Sequence, residues 1–298
     1  MKHWTYLLVL FLLGATGCEV YFEPKLINSE PKLAMYCYYN PEQQWQVKIS
    51  PVFRLYDFTD YDIERAKKHP INDAVVELYA DGVLLERLPN TADFTYTSSS
   101  KPKPGVRYKL RVAATGYAAV EAESEIPDTE NLIQNVAYQE IRKGRGEYSF
   151  TLTDKPNVRN YYGLVLYKDE GNLEDYLFYY AGTDPVMSAT SLDEALAGER
   201  FSTKNTFSDE LFDGKGHTFR LSFDSSPTRR VFGYLTVISE EAYRFEETNR
   251  LMEKETIFPF GEPLRPYSNV QNGYGIFAGY IRYQLPDALV TPNSGTAR

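Results

Sequence analysis

Apolar and polar residues alternate along much of this chain with the two-residue period of half-buried strands. In residues 44–50, Trp45, Val47 and Ile49 fall on one side, with Gln44, Gln46, Lys48 and Ser50 on the other. In 107–114, Tyr108, Leu110, Val112 and Ala114 alternate with Arg107, Lys109 and Arg111. The run 33–40, LAMYCYYN, is apolar and aromatic and reads as another strand. Residues 74–88 read as a hairpin, because two β-forming segments flank Asp81-Gly82, a pair that tolerates the positive φ angles of a type I′ turn. Gly116-Tyr117 reverses the chain into a further strand over 118–126. Strands this short and closely spaced predict a small antiparallel sandwich over 32–127.

The pattern continues beyond Pro127-Asp128. Strands are predicted at 134–141, 146–153, 161–168, 175–181, 217–224, 231–238 and 274–284, giving a second antiparallel β-rich domain over 128–287 and a tail at 288–298. Two short helices interrupt it. Ser191–Ala197 opens with a capping box, Ser191 and Glu194, and stops at Gly198. Ser239–Met252 has a serine cap, two acids in its first turn, and Ala242, Phe245 and Met252 available to one face, as a helix covering a sheet would. In the first region, 60–70 predicts a one- or two-turn helix capped by Asp60 and ended by Pro70. The fold class expected is therefore mostly β, with a β-sandwich followed by a second β-rich domain.

The N-terminus is patterned differently. Lys2 precedes a largely apolar stretch of ten residues, Trp4–Leu13, and then the small residues Gly14, Ala15, Thr16 and Gly17 lead to Cys18. Ten residues are too few to cross a bilayer, which takes roughly 20, and match the apolar core of a secretory signal. Ala15-Thr16-Gly17-Cys18 resembles the bacterial lipobox, with Ala15 where leucine is usual. The resemblance implies cleavage before Cys18, a signal peptide at 1–17, and acylation of the Cys18 thiol by diacylglycerol, a chemistry that needs sulfur and that serine cannot supply. Residues 18–31, with Pro24 and Pro31, then form a lipidated tether. Glu19 in place of Asp favours passage to an outer membrane. A plain secretory signal with an incidental cysteine is the alternative.

Composition narrows the function classes. The 298 residues are 43% hydrophobic and 15% aromatic, with 25 tyrosines, so the chain can bury a core. Its net charge of −9, with no basic run, disfavours nucleic acid as a partner. No G-x-S-x-G, H-E-x-x-H, P-loop or C-x-x-C pattern is present, so neither a catalytic residue nor a cofactor site is expected. Three histidines, His3, His69 and His217, are too few and too scattered for a triad or zinc site. Asp57, Asp60 and Asp62 cluster but fail the EF-hand spacing. FDGKGHT, 212–218, reads as a turn. Cys37 reads as a small buried hydrophobe. A disulfide with Cys18 fits the count of two cysteines but excludes acylation of that sulfur. The tyrosine pairs 161–162 and 179–180 read as strand packing rather than sugar platforms.

The stretch 258–280, FPFGEPLRPYSNVQNGYGIFAGY, is a proline-stiffened loop feeding a glycine-marked strand. Together with SEEAYRF at 239–245, the lipobox and YKLRVAATGY at 108–117, it resembles the Bacteroidota lipoprotein family known as domain of unknown function 4249, over about 26–284. YKLRVAATGY also resembles the closing strands of prealbumin-like modules. The family resemblance implies an outer-membrane lipoprotein, often encoded near TonB-dependent transporters, and brings no catalytic residues. The expectation is a non-enzymatic accessory or ligand-binding protein acting with such a transporter. A carbohydrate- or peptide-binding surface module is the alternative, and a hydrolase built on paired acids the remoter one.

Overall fold

The computed structural model describes residues 30–52, 71–127, 132–169, 174–176, 184, 186–187, 206–224, 230–255 and 266–289. The first region supplies β1 (Leu33–Tyr39), β2 (Gln46–Pro51), β3 (Val75–Ala80), β4 (Val83–Leu88), β5 (Asn90–Ala92), β6 (Thr95–Thr97), β7 (Arg107–Ala113) and β8 (Val120–Glu125). The rest supplies β9 (Leu132–Arg142), β10 (Arg145–Thr153), β11 (Tyr161–Asp169), β12 (Glu174–Tyr176), β13 (Thr206–Ser208), β14 (Gly216–Asp224) and β15 (Arg230–Ile238). The helix α1 (Glu240–Glu255) and β16 (Tyr274–Leu289) follow. The protein is mostly β, as its alternation requires.

Among the described residues these strands form three sheets. The longest has nine strands in the order β12-β11-β15-β16-β1-β2-β6-β5, with β13 joined to β11. The others are β4-β3-β7-β8 and β14-β10-β9. The predicted hairpin forms between β3 and β4, and Asp81 (φ 47°) and Gly82 (φ 81°) both take the left-handed conformation of a type I′ turn. In β10 the alternation is complete, with Gly146, Tyr148, Phe150 and Leu152 buried between half-exposed neighbours.

Each small sheet packs on part of the long one. Leu33, Met35, Cys37 and Tyr39 of β1 and Val47 and Ile49 of β2 share a core with Val76, Leu78, Leu110, Val112, Val120 and Ala122. A second core joins Tyr148, Phe150, Phe219, Leu221 and Phe223 to Leu164, Leu166, Leu235 and Val237. β16 serves both, through Phe277 in the first and Leu285 in the second. Its residues 274–279 pair with β1 and its residues 280–289 with β15. The β1–β16 pairing is parallel, whereas the sequence pattern predicted antiparallel strands alone.

α1 lies over β16, as its first turns predict. Ser239 Oγ accepts from Ala242 N at 3.4 Å, the capping bond expected, and Ala242 is buried with Ile276 and Ala278. Phe245 packs against this patch. Met252, expected on the same face, is exposed. The predicted helices at 60–70 and 191–197 lie outside the described residues. Among the described residues, no helix is long and apolar enough to cross a membrane.

Candidate functional site

The glycine-marked stretch is a splice between strands. Asn269 Nδ2 donates to the carbonyls of Phe277 (2.8 Å) and Glu123 (3.2 Å), and its Oδ1 accepts from Phe277 N at 3.0 Å. One amide thus folds 268–277 back on itself and ties it to β8. Gln271 N donates to Glu121 O at 2.8 Å, and Asn272 Nδ2 to Ala119 O at 3.3 Å, so the edge of β8 is covered. The glycines permit the close approach. A Cβ on Gly273 would lie 2.6 Å from Leu33 O, and one on Gly279 2.6 Å from Glu125 O. Gly275, at φ +110°, would drive its Cβ into Met35 O. The side chains of Ser268, Asn269 and Asn272 all bond to backbone groups, an architectural role.

A second polar cluster lies where the β10–β11 connection meets the β13–β14 connection. The register brings it together. β10 pairs with β14 so that Thr153 faces Gly216, and β11 pairs with β13 so that Tyr162 faces Phe207. This places Asp154 beside Gly214 and Asp209 beside Asn160. Asp154 Oδ1 accepts from Asn160 Nδ2 at 2.9 Å and from the Tyr162 hydroxyl, and its Oδ2 from Gly214 N at 3.3 Å. Asp209 Oδ2 accepts from Asn160 N at 2.6 Å, and Asp213 Oδ1 from Asn157 N at 2.8 Å. Oxygens of Asp154, Asp209 and Asp213 lie within 4.8 Å of one another. Asp154 and Asp209 are buried and Asp213 is exposed. Burial, with the negative charge of Asp154 and Asp213, holds the Asp209 carboxyl above the usual aspartate range against the opposing pull of the Asn160 amide and Arg159. Burial and the Asp154 carboxylate push the Tyr162 phenol up, so it stays a donor.

Sequence reading passed over these acids. Asp213 sat inside a segment read as a turn, and Asp154 and Asp209 are neighbours only through strand register. The one local signal was a pair of polar loops, 154–160 and 209–216, each directly adjoining a predicted strand.

The remaining candidates separate cleanly. Cys18, His69, Asp57, Asp60, Asp62, Tyr179 and Tyr180 lie outside the described residues. Cys37 is a buried free thiol in the first core, and burial pushes its proton affinity up, which suits a hydrophobe and not a nucleophile. His217, the second residue of β14, has its Nε2 3.0 Å from Asp184 Oδ2, and its ring stacks on Phe212. Tyr162 is fully buried in the second core, while Tyr161 stacks on Tyr243 of α1 at 4.7 Å. Both pack, as expected. On the face of β11 and β15 opposite the second core, Tyr167 stacks on Phe232 (5.4 Å) and meets Tyr234 edge-on (6.4 Å). Arg282 lies over Tyr234 at 4.7 Å.

Comparison with known proteins adds one positive finding. No curated protein matches the chain. A family profile described as domain of unknown function matches residues 20–284, spanning both cores, the splice and the acidic clasp. The chain belongs to the DUF4249 family.

Proposed function

We propose that this protein is a non-enzymatic lipoprotein of the outer membrane, held by acyl chains on Cys18, and that it serves as an accessory or ligand-binding partner of a TonB-dependent transporter. The observation that carries the proposal is the apolar run Trp4–Leu13 closing on Ala15-Thr16-Gly17-Cys18 and followed by a short tether into β1. Two or more acyl chains anchor firmly, because each buried methylene contributes about 0.8 kcal/mol. The resemblance in 268–277 supplies the link to transporters.

Two measurements test this. Cys18→Ser should abolish labelling by radioactive palmitate and release the protein from sedimented envelopes, and retention of the label places the anchor elsewhere. Purification of the full chain from solubilised membranes should enrich a TonB-dependent transporter, and recovery of the protein alone refutes the partnership.

A second reading, a carbohydrate-binding surface, rests on the half-exposed Tyr167 and Tyr234, which meet edge-on on the face of β11 and β15 away from the second core. On a glycan array Tyr234→Ala should lose whatever binding the wild type shows. A wild type that binds no glycan removes this reading.

A further inference from the structure

We infer that the clasp between the β10–β11 and β13–β14 connections is a calcium site, with Asp154, Asp209 and Asp213 as ligands. Their oxygens lie within 4.8 Å of one another, and oxygens sharing one calcium at roughly 2.3–2.6 Å are separated by at most about 5 Å.

Acidic residues gather on many surfaces without an ion, and what distinguishes this group is Asp209. Its side chain is 1% exposed, yet its Oδ1 accepts no hydrogen bond. The nearest cation, Arg159 Nε, stands 3.5 Å away, and the same guanidinium is 3.5 Å from Glu210. A half-exposed arginine shared in this way balances neither the buried oxygen nor three carboxylates. A buried carboxylate oxygen without a donor carries its full desolvation cost, and a cation bound between the three acids removes that cost.

The neighbouring groups act as positioning residues. Asn160 holds Asp209 through its backbone amide and Asp154 through its side chain. Tyr162 and Gly214 occupy two more acceptor positions of Asp154, so three of the roughly four lone-pair sites on that carboxylate are used and one remains for a cation. The donor set is all oxygen, which selects a hard cation over zinc or copper. The ligands come from two irregular loops, which suits the adaptable shell of calcium better than the strict octahedron of magnesium.

Terbium serves as the probe, because Tyr162 donates to a ligand carboxylate and lies close enough to sensitise its luminescence. With the full chain in detergent, terbium emission excited through tyrosine should appear, and calcium at about 1 mM, the range of extracellular modules, should displace it and raise Tm. Asp213 is exposed, so Asp213→Asn should fold with an unchanged calcium-free Tm and bind calcium about tenfold or more weakly, as expected when ligand charge is removed. Asp209→Asn should abolish displaceable binding and raise the calcium-free Tm by removing a buried charge. The site is refuted if calcium neither displaces terbium nor moves Tm, or if Asp213→Asn binds calcium as the wild type does.

Discussion

At the scale of single residues, Asn269 shows how one side chain of this protein can serve backbone. Asn269 closes on both polar groups of Phe277 and also reaches Glu123 O. Asn269→Ala leaves those groups without partners and should cost about 1–3 kcal/mol in denaturant unfolding. Gly275→Ala forces a Cβ into Met35 O at φ +110° and should cost about 3 kcal/mol or more. Glu77 gives a pH signature. The Tyr79 hydroxyl, and after it the Arg87 and Arg111 guanidiniums, hold its carboxyl below the usual glutamate range against the opposing pull of burial. A carboxyl that ionises more readily when folded stabilises the fold while charged. That contribution is present above the usual glutamate range and is lost as pH falls through the lowered folded value. Glu77→Gln should therefore flatten the acid limb of a stability–pH curve, and because Glu77 also holds the Tyr79 phenol up, it should alter the alkaline limb as well.

At the scale of elements, what was legible in the sequence was what depends on near neighbours. β2, β7 and β10 alternate because one face of each is buried, and that pattern is written within the six to nine residues of each strand. The Asp81-Gly82 turn and the Ser239 cap are local chemistry in the same sense. Ser239→Ala should lower stability by about 1 kcal/mol through loss of the Ala242 amide partner. The parallel partnership of Tyr39 with Gly279 was not legible, since nothing in either segment names the other. The same holds for the clasp, where Asp154 meets Asp209 only after two strand registers are set. The short strands β5, β6 and β13 have three residues each, too few for a period to show.

At the scale of the whole molecule, the two larger cores among the described residues share β16, and this should couple their unfolding. Trp45 lies in the first core and is the one tryptophan beyond Trp4. Its fluorescence and the far-ultraviolet signal of all the strands should report one midpoint. Leu285→Ala, in the second core, should cost about 2–5 kcal/mol and shift the Trp45 midpoint with the rest. A Trp45 transition that stays at the wild-type denaturant concentration would show the cores to be independent.

The placement of β16 also sets a timetable. A polypeptide is made from its amino end, yet β1 gains its inner neighbour only when residues 274–279 arrive, and the first core is without Phe277 until then. Among the described strands, the first waits for the last. Nascent chains must therefore keep the aromatic edge of β1 unmatched while more than two hundred further residues are made, a long-range closure of the kind that slows folding and exposes strand edges to wrong partners.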